Sequence, residues 1–217
     1  MTLRFYYLSG SPFAWRVWLA LEHKRIGYEM ALLSADAGDL KQAGFLTINP
    51  RGKVPVITDN GYSLYESSAI CEYLEERFAD SGPLLWPRDL RDRANGRRIV
   101  AEMDAYVYPP LRRLMEELLF RRNGEPDEAI ISSSCEVLAD NFHLIARSLT
   151  GGFFLGQAPS LADFTLYPMI ALLGRLELHH PQRDFRGLMP ESLKLWAERI
   201  EALPYFQKTI PPHWRVK

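Results

Sequence analysis

The residues best equipped for chemistry lie in two short stretches, Ser11-Pro12-Phe13 and Lys53 to Ser68. Ser11 stands where a helix must begin. It follows the apolar run Leu3 to Leu8 and the break at Ser9-Gly10, and Pro12 takes the first helical position, where a missing amide costs nothing. Glu66-Ser67-Ser68 opens a second helix, whose apolar positions Ile70, Tyr73, Leu74 and Phe78 keep helical spacing. Free amides, the positive end of the dipole and a serine hydroxyl can face one carboxylate there, or Ser67 can serve as a plain N-cap. Just before it, Val54-Pro55 interrupts a β-branched run. Proline cannot donate to a ladder, so Pro55 belongs at an edge, a strand start or a bulge, and the bond before it is expected to be cis. Val54 is then expected to turn its amide and carbonyl toward an outside partner.

The elements that must hold these residues follow from periodicity. Leu3 to Leu8 suits a buried strand, the helix after Ser11 has Phe13, Val17, Ala20 and Leu21 on its inward face, and Tyr28 to Leu33 reads as a second strand. That is a βαβ unit, with a right-handed crossover. A polar connection over 34–48 carries one short helix around Leu40 to Phe45. Val54 to Thr58 and Tyr62 to Tyr65 then form a hairpin about Asn60-Gly61, the dipeptide that a type I′ turn favours. The order β-α-β, connection, β-β-α is a thioredoxin-like α/β arrangement. Beyond Asp89 strand signals vanish and helical periods cover roughly 90–121, 127–148, 160–177 and 190–202. Pro109-Pro110 and Pro168 are expected to kink or break two of these helices, and Ser160-Leu-Ala-Asp163 is a capping box. The expected division is a thioredoxin-like domain over 1–80, a linker over 81–88 whose apolar Leu84-Leu85-Trp86 should dock, and an all-helical domain over 89–217.

Asn49-Pro50, Gly52-Lys53-Val54-Pro55 and Glu66-Ser67-Ser68-Ala69-Ile70, in this order and spacing, resemble the glutathione-binding signature of the soluble glutathione transferases. Phe154-Leu155-Gly156 with the capping box resembles the pattern of that family's second domain. The resemblance implies that Glu66 and Ser67 hold the γ-glutamyl end of glutathione, that the Val54 backbone beside Pro55 pairs with the cysteinyl peptide, and that Lys53 and Lys41 reach the glycyl carboxylate. Lys41 is equally well read as a solvated surface lysine. The family places tyrosine, serine or cysteine at the thiol, and Ser11 occupies the serine-type position; Ser9 and Tyr7 are the alternatives. The absence of cysteine from residues 9–14 argues against the glutaredoxin-like members. Phe13 and Tyr106 are expected to line an electrophile pocket, or to be helical core. The run Ser11-Pro-Phe-Ala-Trp-Arg-Val17 partly resembles the zeta class, which isomerises maleylacetoacetate, but that class has cysteine where Phe13 stands. The implied function is conjugation of the glutathione thiolate to a small, hydrophobic electrophile by a cytoplasmic homodimer. The alternatives are a non-catalytic interaction protein of the same fold, a glutathione-dependent peroxidase or an isomerase.

Composition agrees with a globular chain and narrows its partners. The 217 residues are 47% hydrophobic and 24% charged, with a net charge of -1, so no whole-molecule field draws nucleic acid or an anionic membrane. No stretch has the length of a membrane span. Cys71 and Cys135 read as core, and neither they nor the five histidines show metal-ligand spacing. Glutathione as co-substrate, without a metal, is the expectation.

Overall fold

The computed structural model describes residues 3–215. Backbone contacts divide the chain into two units: residues up to Trp86 together with those from Pro204 onward, and Pro87–Leu203.

The first unit is built on a four-stranded sheet of order β2-β1-β3-β4, with β1 Leu3–Tyr7, β2 Glu29–Leu32, β3 Val56–Asp59 and β4 Tyr62–Tyr65. β1 runs parallel to β2 and antiparallel to β3, and β3 pairs antiparallel with β4. This mixed sheet with its helices is the thioredoxin-like α/β arrangement. Asn60 and Gly61 both have positive φ, 49° and 89°, as a type I′ turn requires. The Val54–Pro55 bond is cis. The ladder starts at Val56, two residues later than the β-branched run suggests, because Pro55 has no amide to give it.

Helix α1, Pro12–His23, has Ser11 as N-cap and Pro12 at its start. Its burial exceeds the expected inward face. Ala14 to Leu21 are all buried, Arg16 among them, while Phe13 is half-buried. The sheet covers one side, with Trp18 packed on Tyr7 at 5.3 Å between rings. Helix α3, Ser67–Arg77, covers another. The connection expected to hold one short helix holds a 3-10 turn, Asp39–Lys41, and a separate helix α2, Ala43–Ile48. The tether docks as expected: Glu75 accepts from the amides of Leu85 and Trp86, pairs with the buried Lys24 at 2.7 Å, and Trp86 Nε1 donates to Glu72 at 3.1 Å.

Residues 204–215 differ from the expected division, because they pack on α1 within the first unit and not with the helical one. Trp15 Nε1 donates to the buried Thr209 at 3.0 Å, the rings of Trp15 and Phe206 lie 6.2 Å apart, and His23 Nδ1 meets the Tyr205 hydroxyl at 2.8 Å. Leu203-Pro204 follows the last long helix, and the apolar side chains beyond it find their cover on the indole face of α1.

The second unit is helical: α4 Leu90–Glu102, α5 Tyr108–Met115, α6 Glu128–Ala146, α7 Leu161–His179 and α8 Glu191–Glu201. The first predicted long helix is interrupted by wider π turns at Met103–Val107 and Glu116–Phe120, the former just ahead of Pro109-Pro110. Helix α7, expected to kink or break at Pro168, is not broken there but runs through it to His179. The capping box at its start is buried. Asp163 accepts from the Ser160 amide and hydroxyl, the Phe154 amide and Trp196 Nε1, at 2.6–3.1 Å. Four donors offset part of the cost of desolvating that carboxylate, and burial still raises its pKa. Cys71 is buried as expected, whereas Cys135 is only half-buried.

His23 links this packing to pH. Burial is the largest cause of a drop in its pKa to about 4. The unfolded chain, with an ordinary histidine near 6.5, therefore binds more protons than the folded one between those values. Stability should fall as pH drops through that window, by up to about 3 kcal/mol. Urea unfolding at pH 7 and pH 4.5 should show this loss in the parent, and less of it in His23→Gln.

Candidate active site

The strand register gathers the candidate residues. Tyr6 pairs with Val56, and Val56 pairs with Tyr65. The chain leaving β1 toward Ser11, the chain entering β3 through Val54-Pro55, and the chain leaving β4 toward Glu66-Ser67 therefore meet at one end of the sheet. β2 is parallel to β1, with Leu32 opposite Tyr7, so the connection carrying Lys41 also leaves from that end. Ser11, Lys41, Lys53, Val54, Pro55, Glu66 and Ser67 thus share one rim of the first unit.

At this rim Ser11 Oγ accepts the Ala14 amide at 3.3 Å. That bond engages a lone pair, not the hydroxyl hydrogen, so capping and donating are compatible roles. Tyr7 differs. It is 5% exposed, its ring stacks on Phe5 at 5.4 Å, and burial raises the pKa of its phenol. Strand alternation explains this, since Leu3, Phe5 and Tyr7 share the face turned to the core.

Ser67 is buried in the first turn of α3. Glu66 before it is exposed and has φ 71°, a left-handed conformation that costs a non-glycine residue on the order of 1–3 kcal/mol and recurs at ligand sites. Beneath them lies a residue not singled out by the sequence reading. Arg16, 1% exposed, donates from Nη1 to Ser67 Oγ at 3.1 Å and to Ser68 Oγ at 2.9 Å, and its guanidinium lies 5.3 Å from the Phe13 ring centre. A signal existed: a lone arginine inside the apolar run Ala14 to Leu21 must be buried with partners or break the helix face.

Asn49, of the Asn49-Pro50 motif, has a structural role that the sequence did not reveal. It is 2% exposed, donates from Nδ2 to the Lys53 carbonyl at 2.7 Å and accepts the Arg51 amide at 3.0 Å. One amide side chain thus shapes the turn that delivers Val54-Pro55. Lys41 and Lys53 are exposed, and Val54 is half-buried just outside the ladder. Phe13 belongs to the first unit; Tyr106 lies in the first π turn of the second and is 58% exposed. Among the described residues no cluster of three or more metal-ligating side chains occurs, and no helix is long and apolar enough to cross a membrane.

Asn49→Ala leaves the Lys53 carbonyl and the Arg51 amide without their partner. The expected loss is about 1–3 kcal/mol in urea unfolding, together with faster native-state cleavage by trypsin after Arg51 or Lys53.

Comparison with known proteins places this arrangement. Residues 10–77 match the family model described as glutathione S-transferase, N-terminal domain. Glutathione S-transferase 3 of Zea mays is 31% identical over 212 residues, covering 96% of this chain and 93% of the maize protein. Maleylacetoacetate isomerase of Pseudomonas aeruginosa is 32% identical, over 78% of this chain and 80% of its own. The crystal structure of poplar glutathione transferase F1 superposes with a TM-score of 0.84 at 26% identity, covering 97% of each chain. With the register, the cis proline and the start of α3 in place, the chain belongs to the glutathione S-transferase family.

Proposed function

We propose that the protein is a serine-type glutathione transferase that joins the glutathione sulfur to a small hydrophobic electrophile. The observation that carries this reading is the convergence of Ser11, Val54-Pro55 and Glu66-Ser67 at one end of the sheet. Glutathione has a carboxylate and an ammonium at its γ-glutamyl end, peptide groups in the middle, a thiol and a glycyl carboxylate. The start of α3, with Ser67 and the Glu66 carboxylate, suits the first two groups. The Val54 backbone suits the cysteinyl peptide, and Lys53 with Lys41 suits the glycyl carboxylate. Ser11 suits the sulfur.

Its role is to favour the thiolate. A free thiol with a pKa of about 8.5 is only a few per cent ionised at pH 7. A hydrogen bond from the Ser11 hydroxyl to S⁻, worth about 1.5–3 kcal/mol, lowers that pKa by roughly one to two units, and the positive end of α1 acts in the same direction. The thiol proton passes to solvent. The sulfur lone pair then forms the S–C bond while a halide leaves, or adds to an enone that takes up a solvent proton. Phe13 would offer apolar surface to the electrophile. The reading carries with it a cytoplasmic homodimer that uses glutathione as co-substrate and no metal.

Ser11→Ala should lower kcat by about ten- to a hundredfold, and move the apparent pKa of kcat/KM up toward that of free thiol. Affinity for S-methyl glutathione, which has no thiolate, should change little. A parent-like turnover and pH profile would refute the assignment, and Tyr7→Phe in parallel would reveal a tyrosine-type site. Ser67→Ala should instead weaken glutathione binding about tenfold or more in calorimetry. Aryl halides, epoxides, enones and organic hydroperoxides assayed with glutathione sort the transferase from peroxidase activity; maleylacetoacetate tests the isomerase named among the relatives.

A further inference from the structure

Residues 211–215 run back over the turn that carries Ser11. His213 Nδ1 lies 2.5 Å from Ser9 Oγ, and Trp214 Nε1 donates to His213 Nε2 at 2.8 Å. The imidazole also covers Gly10, which has φ 84°: a Cβ there would come within 3.0 Å of His213 Cε1. A side chain at position 10 is therefore disfavoured on two grounds, backbone conformation and the ring already against it. The Trp214 indole, whose Nε1 would lie 3.6 Å from a Cβ at Gly10, meets Trp15 edge to face, with ring centres 5.4 Å apart. Trp15 in turn is held by Thr209, and its amide makes the first helical bond, to the Ser11 carbonyl at 2.9 Å.

The hydrogen positions follow from the partners. An indole N–H can only donate, so Nε2 of His213 must accept; a neutral ring then carries its hydrogen on Nδ1 and donates to Ser9 Oγ. The residue before Gly10 and the residue that begins the α1 ladder are thereby both tied to one dipeptide, His213-Trp214. Ser11 lies between the two ties.

We propose that His213 and Trp214 are positioning residues for Ser11, a clasp on the Ser9-Gly10-Ser11 turn that keeps the Ser11 hydroxyl aimed at the glutathione sulfur. This rests on the serine-type reading. The clasp bears on Ser9, Gly10 and Trp15, on either side of Ser11, so it acts on thiolate formation and not on glutathione binding. His213 acts through Ser9, which makes the two residues a single unit in their effect on the sulfur.

The test compares the parent, Ser9→Ala, His213→Ala, the double variant, and His213→Asn, whose amide can still donate to Ser9. Each is made in the parent and in the Ser11→Ala background, with folding checked by circular dichroism. An aryl halide serves as electrophile, and the pKa of the bound glutathione thiol is read from thiolate absorption in the ultraviolet. Ser9→Ala and His213→Ala should each lower kcat about tenfold and raise the bound-thiol pKa by about one unit, with KM for glutathione within about twofold of the parent. The double variant should be no worse than either single one, His213→Asn should recover most of the loss, and all these effects should vanish in the Ser11→Ala background. If Ser11→Ala raises the thiol pKa while His213→Ala and Ser9→Ala leave it unchanged, the clasp is overturned and the serine-type reading stands. If Ser11→Ala itself behaves like the parent, that reading falls and the clasp falls with it.

Discussion

A guanidinium removed from water must be met by acceptors, and in this protein the hydroxyls that begin α3 meet the one carried by α1. Arg16 donates to both Ser67 and Ser68 from within the core. Charged donors of this kind contribute about 1.5–3 kcal/mol, while a buried charge deprived of its partner costs about 3–5 kcal/mol. The starts of two helices are therefore held over the same end of the sheet. Lysine would not serve as well, because only the planar fork of arginine offers several donors in fixed directions. The rim receives the Arg16 guanidinium and two positive helix ends, beside Lys41, Lys53 and the Glu66 carboxylate, in a protein whose net charge is only -1. A local field of that sign suits a ligand with two carboxylates and a thiolate.

Helix α1 is the element on which the rest of the first unit is laid. Its N-cap serine faces the rim, its arginine holds α3, its lysine end joins Glu75 and the docked tether, and its indole faces receive residues 204–215. Burial on nearly every side leaves it little freedom to shift, and the thiolate role proposed for the Ser11 hydroxyl would need that rigidity, since a hydrogen bond weakens steeply with angle. The second unit solves its own problem in a comparable way. Asp163, enclosed by four donors, fixes the start of α7 against the Phe154 turn and Trp196. In both units a buried charged side chain at a helix end defines how the chain enters that helix.

Most of the first unit was legible because its signals are local. Asn60-Gly61 dictates the hairpin, Ser11-Pro12 dictates a helix start, and strand alternation puts Tyr7 on the inward face. Boundaries slipped where two local rules competed, as at Pro55, where β propensity extends a strand that a missing amide must delay. The connection at 34–48 slipped too, because short polar helices have little periodicity to read.

What the sequence by itself determined was the set of groups: a serine at one helix start, a Glu-Ser-Ser at another, a proline-broken strand between them, and an overall signature that names the family. Their meeting at one rim came from register, because pairing between residues some fifty positions apart is decided by which faces can be buried together. Arg16 and Asn49 were visible as residues but silent as to role, since a polar side chain reveals its partners only once the core has closed around it. The same holds for residues 204–215. Their composition is that of any short apolar stretch, and only the indole face of α1 that the sheet and α3 leave to them decided that they belong to the first unit and bring His213 against the turn at Ser11.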